Sequence, residues 1–346
     1  MNVLSLFDGM GIGLLALLRA GYRNFTYYRV EIDKDVNNAF FKFFTEERLK
    51  RCGVKVIHYD DVTKFPDKVG LNSEEVSKLK NEGITLLLGG SPCTDLSFCG
   101  KQAGLSAGTR SSLFFDYIRI KNIFNPKYFL LENTPMKKEF LDEITSAIGV
   151  PPVMIDSADF SAQKRKRYYW TNIPFNKIWN KSSLTTEDIL EEEVPDKYFI
   201  EPKRSVIICD KECVKHKIAY IGNDHNGNRI YNIFGKSVTL LANGGGLGAK
   251  TGLYAIPCLS PDRINKRQNG RRFKPPFSKF YTLTTIDKHG ILVGNYIRKL
   301  TPVECERLQG WPDNITAGAG SDNKRYKICG NGWTEPVIRH ILKGIV

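Results

Sequence analysis

Apolar residues in the first half of the chain fall into short runs, and the segments between them carry apolar positions at helical spacing. Val3 to Phe7 is the first run. A glycine-rich turn, Gly9, Gly11 and Gly13, leads into a predicted helix from Leu14 to Ala20. Further strands are predicted at Tyr27 to Glu31, Lys55 to His58, Leu86 to Leu88 and Tyr128 to Leu131, with an amphipathic helix over Leu113 to Ile120. Strands alternating with helices predict an α/β fold with a parallel sheet covered on both faces. After Pro174 the rhythm gives way to turn-rich sequence as far as about residue 294, which predicts a second, irregular and β-rich lobe. Helical pattern then returns. Thr301-Pro302-Val303-Glu304 is a helix start of the capping-box type, Gly310-Trp311-Pro312 stops that helix, and Val337 to Leu342 is the last one. The expected organisation is therefore 1–174, 175–294, and 295–346 completing the first lobe.

Charge changes the picture. Lys and Arg number 51 against 37 Asp and Glu, a net +14 over 346 residues that favours a polyanionic partner. Arg263, Lys266, Arg267, Arg271, Arg272, Lys274 and Lys279 face only Asp262 as an acid, which reads as a phosphate-contacting surface. The eight cysteines include no CxxC pair, so neither a disulfide framework nor a metal site is expected, and a reducing, cytoplasmic setting is. The chain enters its first strand at once, without a secretory signal. No apolar run reaches the ~18 residues of a membrane span.

Three segments carry chemistry. The loop Phe7-Asp8-Gly9-Met10-Gly11 follows a strand and opens a helix, and Glu31 lies about twenty residues on, placed to accept both ribose hydroxyls of an adenosine ligand. A nicotinamide cofactor and S-adenosylmethionine both fit this pattern. Asp8 stands where a pyrophosphate would want bare N–H groups, which favours S-adenosylmethionine, and Asp61 can bond the adenine amine. Gly89-Gly90-Ser91-Pro92-Cys93 lifts a thiol onto a turn after a buried strand, as a nucleophile is placed. Glu132 ends the next strand of the series, so its carboxyl meets the thiol at one sheet edge. A thiolate adding to C6 of cytosine, with Glu132 bonding N3 and the amine, creates an enamine that attacks a sulfonium methyl. Arg165 and Arg167, two apart on an expected strand, face one side and can bond the base O2.

In this order the motifs resemble those of the DNA (cytosine-5) methyltransferases: Phe7 to Gly13, Glu31, Asp61, Ser91-Pro92-Cys93, Glu132-Asn133, Gln163 to Arg167, Arg298 to Pro312 and Gly330-Asn331. The resemblance runs nearly end to end. It implies a Rossmann-like S-adenosylmethionine-dependent methyltransferase sheet with a smaller β-rich target-recognition lobe. Cys93, Glu132, Arg165 and Arg167 are the implied catalytic residues. Phe7, Asp8, Gly9, Gly11, Glu31, Ile32, Asp61, Val62, Pro92, Leu113, Asn331 and Gly332 are the implied cofactor positions. On DNA, Thr239 with Gly245 and Gly246, or Thr282 in its place, would hold the phosphate of the flipped nucleotide. Residues 91–97 and 152–170 are similar to the catalytic domain of the animal de novo methyltransferases. A compact microbial or viral enzyme, without a chromatin-reading extension before residue 1, is expected. It is expected to act as a monomer on double-stranded DNA, with a cognate restriction endonuclease as a candidate companion. A tRNA cytosine methyltransferase and a catalytically silent DNA-binding paralogue stay open as alternatives. Two positions depart from the family pattern: Thr134 stands where valine is usual, and Gly332 where serine is usual.

Overall fold

The structure is a computed structural model that describes residues 1–66, 73–92, 96, 104–105, 110–163, 165–184, 187–200 and 301–346. Between 200 and 301 it describes the backbone of 206–213, 217–221, 229–231, 253–254, 257–259, 289–293 and 296–299. Five strands of the first lobe, β1 (Asn2–Leu6), β2 (Phe25–Val30), β3 (Val54–Tyr59), β4 (Leu86–Gly89) and β5 (Tyr128–Asn133), run parallel. With β6 (Val153–Asp156) and β7 (Lys166–Thr171) they form a seven-stranded sheet in the order β3-β2-β1-β4-β5-β7-β6. The sheet is mixed rather than wholly parallel, because β7 lies antiparallel between β5 and β6. Residues 157–165 between β6 and β7 are too few for a crossover back to a parallel neighbour, which takes about a dozen or more. A reversing turn results.

Alternation along the buried strands divides the core by parity. Val3, Tyr27, Leu86, Leu88 and Leu130 face α1 (Ile12–Arg19), α2 (Lys34–Phe43) and α3 (Glu46–Arg51). Leu4, Leu6, Val30, Leu87 and Leu131 face α4 (Ser73–Glu82), α5 (Phe114–Phe124) and α6 (Lys138–Ile148). Continuous apolar runs such as Leu86-Leu87-Leu88 are what a strand covered on both faces requires.

The C-terminal segment returns to the first lobe as α7 (Pro302–Leu308), α8 (Asp322–Asn331) and α9 (Glu335–Leu342), with Val337, Ile338 and Ile341 in the core on the α1 side. The expected capping box forms: the Glu304 amide donates to Thr301 Oγ1 at 3.1 Å, and the Thr301 amide donates to Glu304 Oε2 at 2.8 Å. Arg19 donates to Glu335 at 2.8 Å and Tyr22 donates to the Leu342 carbonyl at 3.1 Å, fastening both ends of the chain together.

Beyond β7, β9 (Val206–Cys213), β10 (Lys217–Ile221), β11 (Arg229–Tyr231) and β12 (Leu253–Tyr254) make one sheet. There β8 (Phe199–Ile200), β13 (Pro257–Leu259), β14 (His289–Val293) and β15 (Tyr296–Lys299) make another. The first of these strands begins at Phe199 and the last ends at Lys299. Phe175, Trp179 and Ile189 pack on the first lobe's core, and β15 pairs with β14 and β8. Among the described residues no helix is long and apolar enough to cross a membrane.

Candidate active site

The chain leaves β1 for β2 and β3 on one side and β4 and β5 on the other, so β1 and β4 meet at the point where strand order reverses. Ligands of open α/β sheets collect outside the carboxyl ends of such strands. Leu6 pairs with Gly89 and Gly89 with Leu131, which brings the loops after β1, β4 and β5 to one edge.

In the loop after β1, Phe7, Gly9 and Gly11 all have positive φ (53°, 57° and 73°). At Gly11 a Cβ would lie 2.5 Å from the Phe40 ring, whereas Gly9 opens onto free space. Asp8 turns inward. Tyr27 donates to its Oδ1, and the fully buried Arg29 donates through Nε to its Oδ2 at 2.9 Å. Arg29 also donates to the Gly9 carbonyl at 2.9 Å and to Asn37 at 2.8 Å, and stacks on Phe40. Arg29 thus neutralises the Asp8 carboxylate beneath the loop. Asp8 can meet a ligand through its backbone only.

Glu31 stands just past β2 with both oxygens engaged: the Gly9 amide donates to Oε2 at 2.8 Å and the Asp33 amide to Oε1 at 2.9 Å. Burial raises its pKa, partly offset by these two amides and Arg29. Each carboxylate oxygen retains a further lone pair for a ribose hydroxyl. Beside it Ile32 is 68% exposed, an apolar surface next to a fixed acid. At Asp61 burial pushes the pKa up, but the Thr63 hydroxyl and amide and nearby Lys64 outweigh it and hold the carboxyl below its usual value. Val62 is buried, and its carbonyl accepts at 3.0 Å from Arg119 of α5, the helix that follows the partly buried Leu113. An open glycine turn, a fixed acid, an exposed apolar side chain and a second acid are a set that fits an adenosine-bearing cofactor.

After β5, Asn133 donates its amide to the carbonyl and hydroxyl oxygens of Ser91, at 3.3 and 3.2 Å. Glu132, 8% exposed, pairs through Oε1 with Arg167 Nε at 3.0 Å and accepts at Oε2 from the Trp333 indole N–H at 3.0 Å. Arg165 departs from the expectation that it faces the base with Arg167. It precedes β7, is buried, and donates to the carbonyls of Gly330 at 3.1 Å and Gly332 at 3.0 Å, where α8 ends. Buried carbonyls at a helix end need donors, and Arg165 supplies them.

The two departures from the family pattern have local settings. A Cβ at Gly332 would lie 2.3 and 2.4 Å from ring atoms of Trp311, so any larger residue must displace that ring. Among the described residues the buried Thr134 hydroxyl has no partner, which fits a position where valine is usual. Asn331 closes α8. Pro92 is half-buried at the head of the cysteine loop.

Cys93 lies outside the described residues, as do Thr239, Gly245, Gly246, Arg263, Lys266, Arg267, Arg271, Arg272 and Thr282. Asn133 belongs to the Glu132-Asn133 motif, whereas no sequence reading points to Arg29 or Trp333. For Trp333 the one signal was a tryptophan directly after the Gly-Asn-Gly turn.

Among solved structures the chain resembles a DNA modification methyltransferase encoded within an Escherichia coli prophage, with a TM-score of 0.60, 20% identity, and coverage of 99% and 98% of the two chains. The two chains share a Rossmann-like fold. The chain belongs to the C-5 cytosine-specific DNA methylase family, whose model matches residues 1–346, and it is a DNA cytosine-5 methyltransferase. Members of this family generally use S-adenosylmethionine. Orphan methyltransferase M.SPRI of Bacillus phage SPR is 28% identical over all of this chain and 97% of its own length. Orphan methyltransferase M.Rho11sI of Bacillus phage rho11s is 25% identical over all of this chain and 98% of its own. Both being phage enzymes accords with the microbial or viral form expected from sequence.

Proposed function

We propose that this enzyme methylates a cytosine swung out of double-stranded DNA, with Cys93 as nucleophile and Glu132 as the carboxyl that holds the base. The observation that carries the proposal is the Asn133 clamp on Ser91. It ties the loop two residues before Cys93 to the residue next to Glu132, at the sheet edge shared with the loop after β1. The Cys93 thiolate forms a bond to C6, and the C5–C6 π electrons move to C5. Glu132 meets N3 and the exocyclic amine, stabilising the charge that develops on the ring. C5 thereby becomes nucleophilic. Loss of the C5 proton after methylation then expels the thiolate and restores the ring.

S-adenosylmethionine supplies the electrophilic methyl group. Phe7, Gly9, Gly11 and the Asp8 backbone would line its path, Glu31 would take the ribose, and Ile32, Asp61, Val62, Pro92 and Leu113 the adenine. Asn331 and Gly332 would border its methionine end. Arg167 would exchange its pairing with Glu132 for the base O2, while Arg165 is better read as a clasp on the 330–332 turn. We assign recognition to the strand-rich segment from about 199 to 299, with Thr239 or Thr282 on the flipped nucleotide's phosphate and the 263–279 basic run along the duplex. The name orphan carried by both phage relatives favours an enzyme acting without a companion endonuclease, and we take it as a monomer.

Transfer of labelled methyl from S-adenosylmethionine to duplex DNA and to tRNA tests this directly. Wild type labels DNA, and Cys93→Ser retains DNA binding but loses transfer by several orders of magnitude. Near-native turnover by Cys93→Ser, or labelling of tRNA alone, would overturn the proposal.

A further inference from the structure

Trp333 is engaged on several sides. Its carbonyl accepts from Trp311 Nε1 at 2.9 Å, which holds the backbone, and Gly332 beside it is confined by the Trp311 ring. The indole lies across two glycines of the site: a Cβ at Gly90 would come 2.9 Å from its Nε1, and one at Gly13 would come 3.7 Å from its Cζ3. Any side chain at Gly90 would therefore push the indole off the carboxylate it bonds. Its N–H donates to Glu132 Oε2 at 3.0 Å.

We propose that Trp333 is a positioning residue, whose indole N–H holds the Glu132 carboxylate in the plane needed by the cytosine edge. The inference rests on the reading of Glu132 as the group that meets the base. A glutamate carboxylate turns readily about its last torsion, and donors on both oxygens stop it. Arg167 occupies Oε1 and Trp333 occupies Oε2, leaving one direction on each oxygen, one for the proton that Glu132 shares with N3 and one to accept from the amine. The two donors are not equivalent. When Arg167 turns to the base O2 its ion pair with Glu132 is given up. The indole has a single donor and no acceptor, so it has nothing to offer the pyrimidine amine and stays on Glu132. Throughout the bound state Trp333 is then the donor that keeps the carboxylate in register.

Trp333→Phe keeps an aromatic side chain beside Gly13 and Gly90 and removes the N–H together with part of the indole's area. With duplex DNA and S-adenosylmethionine, kcat should fall roughly ten- to a hundred-fold, while KM for DNA and Kd for the cofactor stay within about two-fold. An unchanged kcat, or a loss confined to KM or cofactor Kd, would overturn the proposal. Glu132→Gln is measured in parallel. If it too is fully active, the reading of Glu132 fails; if it is crippled while Trp333→Phe is not, only the role of Trp333 fails. Should Trp333→Phe not fold, the chain's four indole N–H signals are compared by NMR in wild type and Glu132→Ala. One signal moving upfield supports the hydrogen bond and its role, and four unmoved signals overturn it.

Discussion

At the scale of single residues, this site is governed by what each polar group has already bonded. Asp8, Glu31, Glu132 and Arg165 all stood out in the sequence as charges near the cofactor or base, yet buried partners divide them. Asp8 is taken up by Arg29 and Tyr27, and Arg165 by the carbonyls of Gly330 and Gly332. Glu31 and Glu132 are pinned at the sheet edge with lone pairs to spare. Gly332 makes the same point for space. A Cβ there would lie 2.3 Å from a Trp311 ring that is 3% exposed and tied by its own N–H, so the ring cannot yield cheaply. Gly332→Ser should therefore destabilise the protein by about 1–3 kcal/mol, the usual range for overpacking, seen as a lower Tm in thermal unfolding. A Tm equal to wild type would mean that Trp311 moves freely.

At the scale of elements, the strands that build the site were legible because they are buried on both faces. The runs at Val3, Tyr27, Leu86 and Tyr128 are too apolar to lie elsewhere, and the capping box at Thr301 and Glu304 marked its helix without ambiguity. The reversal of β7 was not legible. Its residues, Lys166 to Thr171, have no pattern that distinguishes a parallel from an antiparallel neighbour; the short connection from β6 decides it. The same blindness hid the Arg165 clasp, since a two-residue spacing puts side chains on one face only where both residues lie in a strand. Trp333 escaped notice for a third reason. It acts across 201 residues of sequence, and no local spacing announces so distant a partner.

At the scale of the whole molecule, the net charge of +14 is the feature that reaches beyond the site. If the run Arg263, Lys266, Arg267, Arg271, Arg272 and Lys274 meets phosphates, neutralising two of these residues should weaken binding to all duplexes alike. It should also lower the slope of log affinity against log salt by about 0.9 for each phosphate left without its cation. Base preference would persist in bisulfite sequencing of the methylated DNA. A relaxed target motif with an unchanged salt slope would instead place the run on base edges.

Methyl transfer is expected to pass through a covalent bond between Cys93 and cytosine C6. Duplex DNA carrying 5-fluorocytosine at the target position tests it, because fluorine cannot leave as a proton does and the adduct is trapped after methylation. With S-adenosylmethionine present, wild-type enzyme should form a denaturation-resistant protein–DNA complex whose cross-linked peptide contains Cys93, and Cys93→Ser should form none. An active preparation that yields no such complex, or one cross-linked through another residue, would contradict the account.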